Sequence, residues 1–69
     1  MERPTEYEDS WLMVPLYDGT RGRIWPFSTK EDALAAAEVA DRTQGNINVT
    51  AAYVFPPVGV KAEAIVINF

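Results

Sequence analysis

No cysteine and no histidine occurs in the 69 residues. The first absence excludes disulfides. Together they remove thiolate and imidazole ligands, and with them zinc-finger-type sites and haem ligation. They also take away the commonest general base and the best side-chain nucleophile. No apolar run approaches the roughly 20 residues that span a bilayer. The opening MERPTEYEDS carries no apolar segment of the kind a secretory signal needs. A soluble, cytoplasmic protein is therefore expected. Small domains commonly lean on disulfides, a metal or association. With the first two gone, association is the route left to a chain that buries only roughly 60% of its unfolded surface.

Positive charge is scarce as well: six Lys and Arg stand against ten Asp and Glu, a net charge of −4. The imbalance is local. Residues 1–10 hold Glu2, Glu6, Glu8 and Asp9 against Arg3, which is −3, and the remaining residues sum to −1. The body is close to neutral. It carries neither the clustered cations of a generic nucleic-acid binder nor the dense negative surface of a DNA mimic.

What catalytic inventory remains has ordinary explanations. Lys30 falls at a helix start and Lys61 at an outward strand position. Ser28 is placed to cap a helix, and Glu31 and Asp32 suit its positive end. Asp18-Gly19-Thr20-Arg21-Gly22 lacks the pattern of a phosphate-binding loop. A non-catalytic protein with no metal and no cofactor is the expectation.

The chain divides into an acidic, flexible tail at 1–9 and a single domain at 10–69. WLMVPLY (11–17) is a short apolar run bounded by turn residues, hence a strand, and Pro15 sends it to an edge or a bulge. Asp18-Gly19 is a two-residue hairpin signal, although Gly22 also permits a five-residue loop. RIWPF (23–27) returns. STKEDALAAAEVADRTQG (28–45) predicts a helix, capped by Ser28 with Glu31 three residues on and closed by Gly45. Ala33, Ala36, Ala37 and Ala40 give it a smooth stripe, with Glu38 and Arg42 paired four apart. INVTAAYVF (47–55) alternates with Ile47, Val49, Ala51, Tyr53 and Phe55 on one face, and VKAEAIVINF (60–69) closes the fold. The prediction is α+β: a two-layer ββαββ domain, four strands mainly antiparallel, one helix on one face. A right-handed crossover would make the second and third strands parallel if they share the sheet.

One helix covers one face. The first strand is nevertheless apolar on both sides, and the last becomes so from Ala64 onward, as in strands buried twice. The expectation is that the second face packs against another copy or another protein, with Ile65, Ile67 and Phe69 as the self-association surface. Trp11, Tyr17, Arg21, Arg23, Trp25 and Phe27 crowd one hairpin. With a five-residue loop, Trp11, Met13, Tyr17, Arg23, Trp25 and Phe27 share a face; a two-residue turn dissolves the group. Three readings follow: core beneath a thin helix, a protein-binding hot spot, or an Arg/Trp platform (Arg21, Arg23, Trp25) for single-stranded nucleic acid. In FPPVGV (55–60), Phe55 and Pro56 begin either a rigid turn between strands or an apolar tip that docks in a partner.

RIWPFSTKEDALAAAEVA (23–40) resembles the strand-then-helix portion of a SPOR-type peptidoglycan-binding repeat, where an aromatic-Ser/Thr step leads into an acidic, alanine-rich helix. The likeness spans one such unit; SPOR domains have two. The function expected from the residues is a small protein-interaction module, its partner a protein or a second copy, acting as a regulator or inhibitor of the compact bacterial or phage kind. The alternative is a weak nucleic-acid-associated regulator.

Overall fold

The computed structural model describes residues 1–43 and 48–69. It is a small α+β fold: an open antiparallel sheet of five strands with a short helix on one face. The strands are β1 (Trp11–Tyr17), β2 (Thr20–Arg21), β3 (Trp25–Phe27), β4 (Val49–Phe55) and β5 (Ile65–Asn68). Their order is β2-β1-β4-β5, with β3 sharing the same side of β1 as β2. The expected second strand is thus two pieces, and four strands become five. Since β3 and β4 both run antiparallel to β1, they are parallel to each other with β1 between them.

The hairpin takes the two-residue turn. Asp18 and Gly19 both have positive φ, 53° and 86°, and Tyr17 faces Thr20. Two residues further on the ladder breaks. The pairing resumes one residue out of step, with Met13 opposite Trp25 and Trp11 opposite Phe27. Residues 22–24 therefore form a bulge. The break sits beside Pro15, which has no N–H to offer this side of β1 and only accepts, from Gly22 N–H at 2.8 Å. Gly22 is needed there: a Cβ would lie 2.3 Å from Tyr17 Cε2.

The helix begins one residue later than the sequence predicts. Thr29, not Ser28, is the cap, its Oγ1 accepting from Asp32 N–H at 3.2 Å. Helix α1 (Lys30–Glu38) stops at Val39, and a turn, α2 (Ala40–Thr43), follows. Val39 C=O then accepts from the N–H groups of Arg42 and Thr43 and from Thr43 Oγ1. The break separates Glu38 from Arg42, whose ion pair is instead a long, exposed one to Asp41 at 3.9 Å. Such a contact adds little stability. The expected Gly45 cap and Ile47 lie outside the described residues.

Two apolar clusters lie on opposite faces of the sheet. Under the helix, Ala33, Ala37 and Ala40 are fully buried against Met13, Val49, Ala52 and Val54. Trp11, Tyr17, Trp25, Phe27, Ile65 and Ile67 pack around them. The alanines let the helix lie close, and the large groups come from the sheet. On the other face Leu12, Val14 and Phe55 are buried, with Ile24 and Tyr53 against them. A second bulge sorts β4 between the two. Leu16 faces Ala51 but Tyr17 faces Val49, so Thr50 is the extra residue. Val49 moves to the helix side, away from Ala51, Tyr53 and Phe55, with which simple alternation had grouped it.

Residues 1–9, expected to form a flexible tail, are docked on the body. The Arg3 guanidinium donates Nε to Pro56 C=O at 2.7 Å, Nη1 to Pro4 C=O at 2.7 Å, and Nη2 to the carbonyls of Tyr7 and Ser10 at 2.5 and 2.9 Å. Val58 N–H adds a bond to Glu8 C=O at 2.9 Å. Pro4 and Pro56 are buried by this arrangement. On the face without a helix, Ile24 from the bulge packs against the Leu12, Val14 and Phe55 cluster, and the arm docks beside it at Pro56 and Val58.

Candidate functional site

The aromatic hairpin group survives for a reason other than the one expected. A two-residue turn alone would have split it, but the bulge at 22–24 restores the parity. Trp11, Met13, Trp25 and Phe27 share a face, and that face is the one under the helix. Trp11, Tyr17 and Trp25 are half-buried walls of the core rather than a displayed platform. Arg23 lies over the Trp25 ring, its Cζ 4.6 Å from the centroid. Arg21 is opposite Leu16, on the other face. The Arg/Trp cluster is therefore divided between two sides, and one face of Trp25 is already taken by an arginine.

Beside Trp25 opens a cavity of about 230 Å³, lined by Met13, Trp25, Phe27, Ala36 and Thr43. Among the described residues lining it, Thr43 carries the hydroxyl, which is bound to Val39 C=O. Trp25 Nε1 is buried without an acceptor among the described residues. Leaving such a donor unpaired costs about 1–3 kcal/mol. Among the described residues no three His, Cys, Asp or Glu side chains gather as a metal site would require. No helix among them is long and apolar enough to cross a membrane.

The FPPVGV stretch is a turn. Phe55 is buried and stacks on Tyr53, centroids 5.6 Å apart. Pro56 is buried as well, so of the two readings, rigid turn or exposed docking tip, these two residues fit the turn. Val60 N–H closes the turn onto Pro57 C=O at 3.2 Å, with Gly59 at φ 91° in the position that needs it. The segment that follows, expected as strand from Val60, pairs only from Ile65.

That shortening changes the last strand's face. Ile65 and Ile67 lie opposite Val54 and Ala52, on the helix side, half-buried in its core. The expectation that they line the uncovered face is corrected: that face receives Val66, opposite Tyr53, and Asn68, opposite Ala51. Val66 is 44% exposed, Phe69 46%, and Val58 and Val60 61% and 47%. Alternation could not reveal this, because residues 60–64, from which the faces were counted, are not strand.

The two edges of the sheet carry the remaining geometry. Phe69 N–H donates to Thr50 C=O at 3.1 Å in the same register as the β4–β5 pairs. In an antiparallel ladder such bonded residues alternate. Ile65 and Ile67 therefore direct their N–H and C=O to β4, and Val66 and Asn68 direct theirs outward. On the opposite edge the Gly22–Pro15 bond sets the same alternation. Trp25 and Phe27 face β1, and the outward residue of β3 is Pro26, which has no N–H. The β5 edge offers donors and acceptors at two positions; on the opposite edge β3 offers no donor, and the two-residue β2 offers one, at the charged Arg21. Neither β5 nor the residue preceding it carries a charge or a proline to block pairing.

Comparison with protein-family models, with curated proteins and with solved structures gives no match. The likeness of residues 23–40 to a SPOR repeat thus stands as that of one strand and one capped helix.

Proposed function

We propose that the chain is a small non-catalytic protein-interaction module that binds by adding a strand of its partner to β5. It acts as a regulator or inhibitor by occupying a surface of a larger assembly. The observation that carries this reading is the β5 edge: four uncharged residues with outward backbone groups at Val66 and Asn68, flanked by the exposed side chains of Val66 and Phe69. Main-chain bonds supply affinity in such contacts and the alternate side chains supply selectivity. The self-association and partner surfaces expected at Ile65, Ile67 and Phe69 and at the hairpin reduce, on this geometry, to Val66, Asn68 and Phe69.

The nucleic-acid alternative draws less support, because Arg21 and Trp25 sit on different faces and Arg23 occupies the Trp25 ring. The test is affinity capture with the tagged chain and with Val66→Lys, which places a strongly hydrated charge on the edge. Proteins captured in near-stoichiometric amount by the first and lost with the second are expected. Identical captures by both would end the reading.

A further inference from the structure

The β5 edge also shows what fits it. Resting on the strand-addition reading above, we infer that its occupant is a second copy of this chain, joined β5 to β5 about a two-fold axis through Val66. Three features converge on this.

The first is the register. The outward positions are Val66 and Asn68, and Ala64, just before the strand, would join the same alternation if pairing extended β5 by one residue. Antiparallel pairing centred on Val66 sets Val66 against Val66 of the second copy and Ala64 against its Asn68. All the outward groups are then used, in about six hydrogen bonds.

The second is what the side chains meet. On the helix side this register puts Ile65 beside Ile67 of the second copy, and the reverse, so two half-buried residues extend the core across the join. On the other face Val66, now 44% exposed, meets its own symmetry mate. No charge lies between Ala64 and Asn68. The nearest charged side chain, Glu63, falls opposite the Phe69 side chain of the second copy.

The third is closure. An isologous contact satisfies both copies at once, and growth beyond it would need the far edges. Those are made of β3, where Pro26 supplies no outward donor, and the two-residue β2, whose outward residue is the charged Arg21, with the bulge at 22–24 interrupting the line between them. The assembly stops at two, with one sheet running through both copies.

Few residues take part, so the contact lies below the size of stable interfaces, and a dissociation constant on the order of 10–100 µM is expected. The experiment is sedimentation equilibrium over a concentration series, with amide exchange measured at both ends of it. A rise from the 7.7 kDa monomer toward twice that mass is expected. With it, the Val66 and Asn68 amides should slow as concentration rises, while Ile65 and Ile67 stay protected throughout. Val66→Pro removes only an outward N–H; it should weaken the dimer more than about tenfold and leave the fold's exchange pattern in place. Val66→Lys, which opposes two like charges on the axis, should do the same if the proline variant fails to fold. A chain that stays monomeric, or a dimer in which Val66 and Asn68 exchange at the monomer's rate, overturns the inference. If a monomer still captures another protein in a Val66→Lys-sensitive way, strand addition stands and only the second copy is lost as its occupant; if that capture also fails, both fall.

Discussion

The two edges of this sheet are built from similar apolar residues, Trp25-Pro26-Phe27 on one side and Ile65-Val66-Ile67-Asn68 on the other. They differ in which residue faces out. On β3 the outward position falls on proline; on β5 it falls on valine and asparagine. Hydropathy does not separate the two, and the identity of a single backbone donor does. An edge strand is open or closed according to the parity of its register as much as its side chains.

The largest effect should come from moving a proline to the inward position of the open edge. Ile67→Pro removes the N–H directed at Ala52 and the side chain packed under the helix. A loss of about 2–4 kcal/mol in urea titration is expected, much of the stability of a domain this small. Val66→Pro should cost less than about 1 kcal/mol in the same titration, since its N–H bonds to nothing within the chain. Equal losses would show that the inward and outward assignment is wrong.

Gly22→Ala acts on the guarded edge. Its Cβ would sit 2.3 Å from Tyr17 Cε2 and 3.1 Å from Pro15 Cγ, so the ring must swing away. Overpacking of this kind costs about 1–3 kcal/mol, read as a fall in thermal midpoint with shifted Tyr17 ring resonances. An unchanged midpoint and unchanged ring signals would mean that the bulge has room to spare.

The smallest change in stability, within about 0.5 kcal/mol, belongs to Pro26→Val. It returns an outward N–H to β3 and makes the closed edge resemble the open one. Assemblies larger than the wild type's should then appear in sedimentation velocity. If none forms, something other than the missing donor closes that edge.

Much of the architecture was legible before the fold. The Asp18-Gly19 turn, the proline-marked irregularity in β1 and the alanine helix all follow from local chemistry acting on near neighbours. So does the double burial of β1, announced by an apolar run with no polar face. The helix's break at Val39 has no counterpart in the spacing of its residues. Faces were less legible, because they depend on counting by twos. The bulges at 22–24 and at Thr50 each add one to the count; Pro15 and Gly22 hint at the first without fixing its register, and no unusual residue marks the second. The docking of the acidic segment beside Phe55 was legible only as an alternative. It rests on one guanidinium bound to backbone carbonyls, an interaction that leaves no trace in hydropathy.

Arg3 also has a consequence in time. Its bond to Pro56 joins residues 53 positions apart, and β1 finds its main partner, β4, across a comparable span, from Leu12 to Phe55. A chain emerging from the ribosome amino end first must present Leu12 and Val14 long before either cover exists. Until then only the tight turn and the helix can form from what has been made, since distant pairings are slow and leave strands exposed while they wait. Residues 1–10 leave the ribosome before the segments they dock on and are among the last to settle, and the most apolar strand spends that interval in need of protection.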